Sequence, residues 1–183
     1  LDTIYLPKDT IDSIVKDITT FVSPDVSRRY QELCINHTRT YMFHGLPGTG
    51  KTTLIKGLAS YFNKRIAIIS LDIDVSDNNL RRAFKKLPNN AFVVIEDVDC
   101  IFEQRESRNT NVTFSALLNA LDGVSTNDSI IFMTTNKLRS LDDALVRRSD
   151  YFIEFKHSTK EQIKKMFFMF FPQYMNMFDT WFD

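Results

Sequence analysis

Three observations predict an α/β fold with a mostly parallel sheet. Short apolar runs recur along the chain, helix-like segments separate them, and a glycine-rich turn joins the first run to a helix. Pro7 opens the first helix, since its fixed φ and missing N–H cost nothing in a first turn, and Ile11, Ile14, Val15 and Ile18 follow at helical spacing. Ser23-Pro24 punctuates that helix, and a second is predicted from Asp25 to about Cys34. The five strand candidates are Tyr41-Met42-Phe43, Ile66 to Leu71, Phe92 to Ile95, Ile130 to Met133 and Tyr151 to Phe155. Their apolar character is continuous rather than alternating, which predicts strands buried on both faces beneath helices. A helix is expected to start near Asp77, and a last one from Thr159 leaves the sheet to begin something else.

Composition narrows the function classes. The 183 residues carry 23 basic and 23 acidic side chains, so formal net charge is zero. That argues against a nucleic-acid sheath, whose affinity comes from neutralising phosphates. A chain of this length buries roughly 70% of its unfolded surface and needs no disulfide or metal staple. The two cysteines, Cys34 and Cys100, suit an intracellular reducing compartment. No apolar run reaches the roughly 18 residues of a membrane span, so membrane contact is expected only through segments outside this chain.

Function is written first in Gly45-Leu46-Pro47-Gly48-Thr49-Gly50-Lys51-Thr52-Thr53, which follows the first strand and precedes Leu54, Ile55, Leu58 and Ala59 at helical spacing. Two glycines five apart, then Lys and Thr, form a phosphate-binding loop when they lie between strand and helix. Three of the chain's five glycines are here. Glycines let the backbone turn sharply and approach an anion, while loop N–H groups and the helix N-terminus point at phosphate oxygens. Lys51 supplies a cation to the outer phosphates, and the Thr52 hydroxyl is a ligand for Mg²⁺. The site is read as one for a nucleoside triphosphate.

The third apolar run ends in Glu96-Asp97, where ligands of parallel sheets lie. One acid is expected to hold Mg²⁺, usually through water, and the other to polarise the water attacking the γ-phosphate. The fourth run ends in Thr134-Thr135-Asn136, and Asn136 is expected beside the acids, hydrogen-bonding the γ-phosphate or that water.

Together with Leu141-Asp142-Asp143-Ala144-Leu145-Val146-Arg147, these motifs resemble, in order and spacing, the AAA family of ring-forming ATPases. The resemblance runs from about Thr3 to Phe171. Glu96-Asp97-Val98-Asp99, in that acid order, and the stretch Thr113 to Gly123 are most similar to the subfamily of the mitochondrial chaperone that translocates the Rieske iron–sulfur protein. The resemblance implies a P-loop core over 1–157 and the beginning of a small helical lid subdomain over 158–183. It also implies ATP and Mg²⁺ as ligands, a homo-oligomeric ring, and a protein substrate. The compartment implied is the cytoplasm or the mitochondrial inner membrane. By resemblance Glu96 takes the metal side and Asp97 the catalytic base, although most relatives carry Asp-Glu here and the reversal leaves that division open. Asp99 matches an acid near the subunit interface.

Arg147 falls on the first of two arginines that such proteins insert into a neighbour's ATP site. The family commonly spaces the second beyond a glycine, whereas this chain reads Arg147-Arg148-Ser149-Asp150. Either Arg148 substitutes from a shifted loop or one arginine finger is lost. The aromatic-glycine pair that threading relatives present after the second strand is replaced by Leu71-Asp72-Ile73-Asp74-Val75-Ser76-Asp77. The Rieske-chaperone subfamily also lacks that grip, as expected of a protein that moves folded cargo.

Three function classes are thus in play: an ATP-driven motor or chaperone, an ATP-dependent binding switch with weak hydrolysis, and a DNA-handling relative. Arg81, Arg82, Lys85 and Lys86 are read as a solvated helix surface rather than a DNA contact. His37, His44 and His157 have no metal-ligand spacing. The Met- and Phe-rich tail from Met166 to Phe182 is expected to leave an apolar face exposed and to promote association.

Overall fold

A computed structural model describes residues 7–71, 75–88, 90–102, 112–123 and 129–178. Helix α1 spans Lys8–Phe21 with Pro7 at its start, and α2 spans Pro24–Glu32. Strand β1, Thr38–Gly45, leads through the glycine loop into α3, Lys51–Tyr61. Then come β2, Arg65–Ile69, α4, Asp77–Lys85, and β3, Ala91–Ile95. Helix α5, Phe114–Asp122, precedes β4, Ser129–Thr135. The short α6, Asp143–Val146, β5, Tyr151–Phe155, and α7, Lys160–Phe170, complete the order, with a 3-10 segment at Pro172–Met177.

The five strands form one parallel sheet in the order β2-β3-β4-β1-β5. Side chains alternate across each strand and enter two separate cores. Tyr41, Phe43, Phe92, Val94, Ile130 and Phe132 pack beneath α1 and α3, against Ile14, Ile18, Phe21, Leu54 and Leu58. Met42, Val93, Ile95, Ile131 and Met133 pack on the other face against Leu80 and Phe84 of α4 and Leu117 of α5. Residues of both parities are therefore buried, which is why the central strands read as unbroken apolar runs.

Phe132 anchors the first core, its ring 5.2 Å from Tyr41, 5.5 Å from Phe43 and 5.1 Å from Phe92. Such pairs contribute about 0.5–1.5 kcal/mol each beyond area burial. The Tyr41 hydroxyl donates to Asp17 of α1, and the Tyr151 hydroxyl donates to the same carboxylate at 2.9 Å. Burial and the adjacent Asp17 charge hold the Tyr41 phenol far above its ordinary pKa, so it remains a donor. One acid thereby ties α1 to β1 and β5.

Several boundaries differ from expectation: β1 and β4 run beyond their apolar runs, to Thr38–Gly45 and Ser129–Thr135, because the sheet ladder pairs polar residues as well. The second helix stops at Glu32 rather than near Cys34, because Leu33 caps it and Cys34 takes a left-handed backbone, φ 54°. The second strand runs Arg65–Ile69, not to Leu71. Helix α7 starts after Thr159, whose hydroxyl accepts from the Gln162 N–H while the Gln162 side chain accepts from the Thr159 N–H. The Asp72-Ile73-Asp74 part of the acidic loop lies outside the described residues.

Candidate functional site

The sheet order places the C-terminal ends of β1, β4 and β3 side by side, so three segments distant in sequence converge there. The loop after β1 needs its glycines. Gly45, Gly48 and Gly50 have φ of 136°, 75° and 95°. Gly48 and Gly50 face open space, while a Cβ on Gly45 would lie 2.1 Å from the Phe155 carbonyl oxygen of β5. Thr49 closes the turn by donating its hydroxyl to the Leu46 carbonyl at 2.7 Å.

Lys51 is buried and donates to three oxygens: the Gly45 carbonyl at 2.8 Å, the Leu46 carbonyl at 2.9 Å and the Asn136 amide oxygen at 2.8 Å. Burial lowers its pKa, while the Asp97 and Asp99 charges oppose that shift. Next to it, the Thr52 hydroxyl donates to Glu96 Oε1 at 2.8 Å. The Asn136 amide nitrogen donates to Asp97 Oδ1 at 3.2 Å. One amide thus bridges the ammonium of the loop and the second acid of β3. Burial first, then Asp99 and Glu96, raise the Asp97 pKa above the usual carboxylate value, against Lys51 and Asn136.

The two acids separate: Glu96 turns to Thr52, and Asp97, exposed with a left-handed φ of 49°, turns to Asn136. A cavity of about 320 Å³ opens over Pro47, Gly48, Gly50, Lys51, Thr52, Thr53, Glu96, Asp97, Thr134 and Asn136. Its lining fits a polyphosphate with a hard divalent cation. The loop and Lys51 offer a cationic cradle, while a hydroxyl and a carboxylate in contact offer two oxygen ligands. Among the described residues no group of three or more His, Cys, Asp or Glu could hold a metal.

The two arginines lie elsewhere. Arg148 donates from Nε and Nη2 to both oxygens of Asp122 at 2.8 Å each, and from Nη1 to the Ala144 carbonyl at 2.8 Å. The pairing raises the Arg148 pKa and lowers that of Asp122. Arg147 is exposed. Both line a second cavity of about 430 Å³ beside Tyr30, Thr38, Thr40 and Asp150, which shares no residue with the first. Within one chain, therefore, neither arginine joins the phosphate loop. Sequence reasoning did not single out Thr134, whose hydroxyl accepts from the Asp97 N–H at 3.0 Å, nor the Asp122 partner of Arg148.

The family model described as "ATPase family associated with various cellular activities (AAA)" matches residues 41–157. The chain is 34% identical over 185 residues to the probable mitochondrial chaperone BCS1-A of Dictyostelium discoideum, covering 93% of this chain and 44% of that protein. It is 37% identical over 188 residues to the probable mitochondrial chaperone bcs1 of Schizosaccharomyces pombe, covering 98% and 41%. Against the mitochondrial chaperone BCS1 of Bos taurus the identity is 37% over 185 residues, covering 94% and 44%. The chain thus spans less than half the length of these curated relatives. With a matching family model over most of its length, a five-stranded parallel sheet and a glycine loop at its carboxyl ends, this chain belongs to the AAA family.

Proposed function

We propose that this chain is an ATP-hydrolysing domain that drives conformational work on a protein substrate, as part of a homo-oligomeric ring. The observation that carries the reading is the Lys51–Asn136–Asp97 bridge beside the Thr52–Glu96 pair. The glycine loop and Lys51 would hold the β- and γ-phosphates. Thr52 and Glu96 would hold Mg²⁺, which neutralises charge on the phosphates when bound. Asp97 is then left to orient and deprotonate the attacking water, and Asn136 to hold that water or a γ-phosphate oxygen. This division assigns the metal side to Glu96 and the base to Asp97.

Arg147 would reach a neighbour's site, a reading supported by its exposure and by its lining a cavity separate from the phosphate loop. The names of the relatives support a chaperone role and a mitochondrial setting. Residues from 158 onward are read as the start of a helical lid. Neutral net charge leaves nucleic acid as the disfavoured partner.

A second reading, a binding switch with weak turnover, is favoured by one observation: Arg148 is held by Asp122 of its own chain. The test is nucleotide binding and turnover in parallel. Lys51→Ala should weaken ATP binding at least tenfold. Asp97→Asn should bind ATP within a few-fold of the unaltered chain and lose at least about 100-fold in kcat, the scale of a general base. EDTA should abolish turnover. Turnover that survives EDTA, or an Asp97→Asn variant at full rate, would contradict the assignment, and binding without turnover in the unaltered chain would select the switch.

A further inference from the structure

The ladder between β3 and β4 is regular up to the pair Ile95 and Met133, and then the β3 chain departs from it. Glu96 and Asp97 line the cavity, and beyond them the Val98 N–H donates to the Thr134 carbonyl at 2.9 Å. The Thr134 hydroxyl meanwhile accepts the Asp97 N–H at 3.0 Å. A single residue of β4 thus binds two consecutive N–H groups of the departing segment. Asp97 between them has φ 49°, a conformation that costs an L-residue free energy and persists only where its surroundings enforce it. One residue further on, Asp99 is buried and its Oδ1 accepts the Asn136 N–H at 3.3 Å. The segments carrying Asp97 and Asn136 are therefore cross-tied in both directions, from β4 to β3 by Thr134 and from β3 to β4 by Asp99.

We propose that Thr134 and Asp99 are positioning residues for hydrolysis: Thr134 holds Asp97 in its left-handed backbone with the carboxylate aimed at Asn136, and Asp99 holds Asn136 between Asp97 and Lys51. The proposal rests on the hydrolytic reading above. Thr134 is 2% exposed and Asp99 6%. Thr134 lines the cavity and the Asp99 charge acts on Lys51, but neither side chain hydrogen-bonds Lys51, Thr52 or Glu96, so their loss should fall more heavily on kcat than on nucleotide affinity.

The test is ATP turnover and ATP binding by the chain with Mg²⁺, measured for Thr134→Val and Thr134→Ser. Valine keeps the shape and removes the acceptor, whereas serine restores it. Thr134→Val should lose about tenfold to 100-fold in kcat, the range a displacement of about 1 Å produces, with a clearly smaller change in Kd for ATP. Thr134→Ser should recover most of that loss. Should Thr134→Val not fold, Thr134→Ala removes the same acceptor with less bulk and carries the same expectation. Full turnover in the variant lacking the acceptor, or equal impairment of the serine variant, overturns the positioning role while leaving the hydrolytic reading intact. Absence of turnover in the unaltered chain defeats the hydrolytic reading itself, and the positioning role with it.

Discussion

Gly45 is the residue on which the seat of the phosphate loop depends. Its φ of 136°, and the 2.1 Å that would separate an added methyl group from the Phe155 carbonyl oxygen, leave no place for a side chain. Gly45→Ala must push β5 aside or move the loop, at a cost of roughly 1–3 kcal/mol for overpacking. The expected outcome is a lowered thermal midpoint together with ATP binding weakened more than tenfold. Gly48→Ala meets open space and is strained by its φ of 75° alone, so its stability loss should be smaller. Calorimetry of the two variants checks the order. The glycines were readable in the sequence because spacing between a strand and a helix already demands them. Thr134 was not, since a hydroxyl on one strand meeting an N–H on another depends on register. In a parallel sheet the helices packed on both faces set that register. Asn136 was readable because it ends an apolar run beside another run ending in acids.

At the level of elements, apolar continuity identified every strand, and in β1, β3 and β4 the structure shows its cause in two cores drawn from alternate residues. The edge strands β2 and β5 are not buried on both faces as expected, because each has a neighbour on one side only and residues such as Ile68 and Phe152 stay exposed. The ends were less legible. The second helix carries no buried residue, so nothing in its pattern marks where it stops. The pairing of α5 with the segment after α6 was equally hidden, because Asp122 and Arg148 are 26 residues apart. That pair is partly solvated, with Asp122 55% and Arg148 33% exposed, so its worth is bounded at about 1 kcal/mol. The Asp122 pKa lies below its ordinary 3.8 in the folded chain, held there by the Arg148 hydrogen bonds. Its stabilisation is therefore fully present above 3.8 and is lost as pH falls below it. Asp122→Asn should lower the thermal midpoint at pH 7 and differ progressively less from the unaltered chain below pH 3.8. A gap that stays constant with pH would show that the pair contributes nothing through charge. The same variant loosens Arg148, which keeps its Ala144 carbonyl contact, so a gain in turnover on mixing with unaltered chain would assign Arg148, rather than Arg147 alone, to a neighbour's site.

At the scale of the whole molecule, the cavity with the phosphate loop and the cavity with the arginines share no residue among the described residues. In the proposed function the arginines would act on a neighbouring copy's phosphate loop. The surface adds a second reason for association: Phe170 is 62% exposed, Met169 48%, Phe171 47% and Tyr174 44%, all on α7 and the segment after it. Sedimentation should show concentration-dependent self-association that Phe170→Ser weakens; an unchanged monomer at high concentration would contradict it. In the proposed function, hydrolysis is completed by an arginine from a neighbouring subunit. Its most direct test is the steady-state ATPase rate per subunit against protein concentration, with Mg²⁺, for the unaltered chain and Arg147→Ala. The expected result is a specific rate that climbs with concentration and saturates, and that falls at least about 1000-fold at saturation in Arg147→Ala. A specific rate independent of concentration, equal in the two proteins, would contradict it.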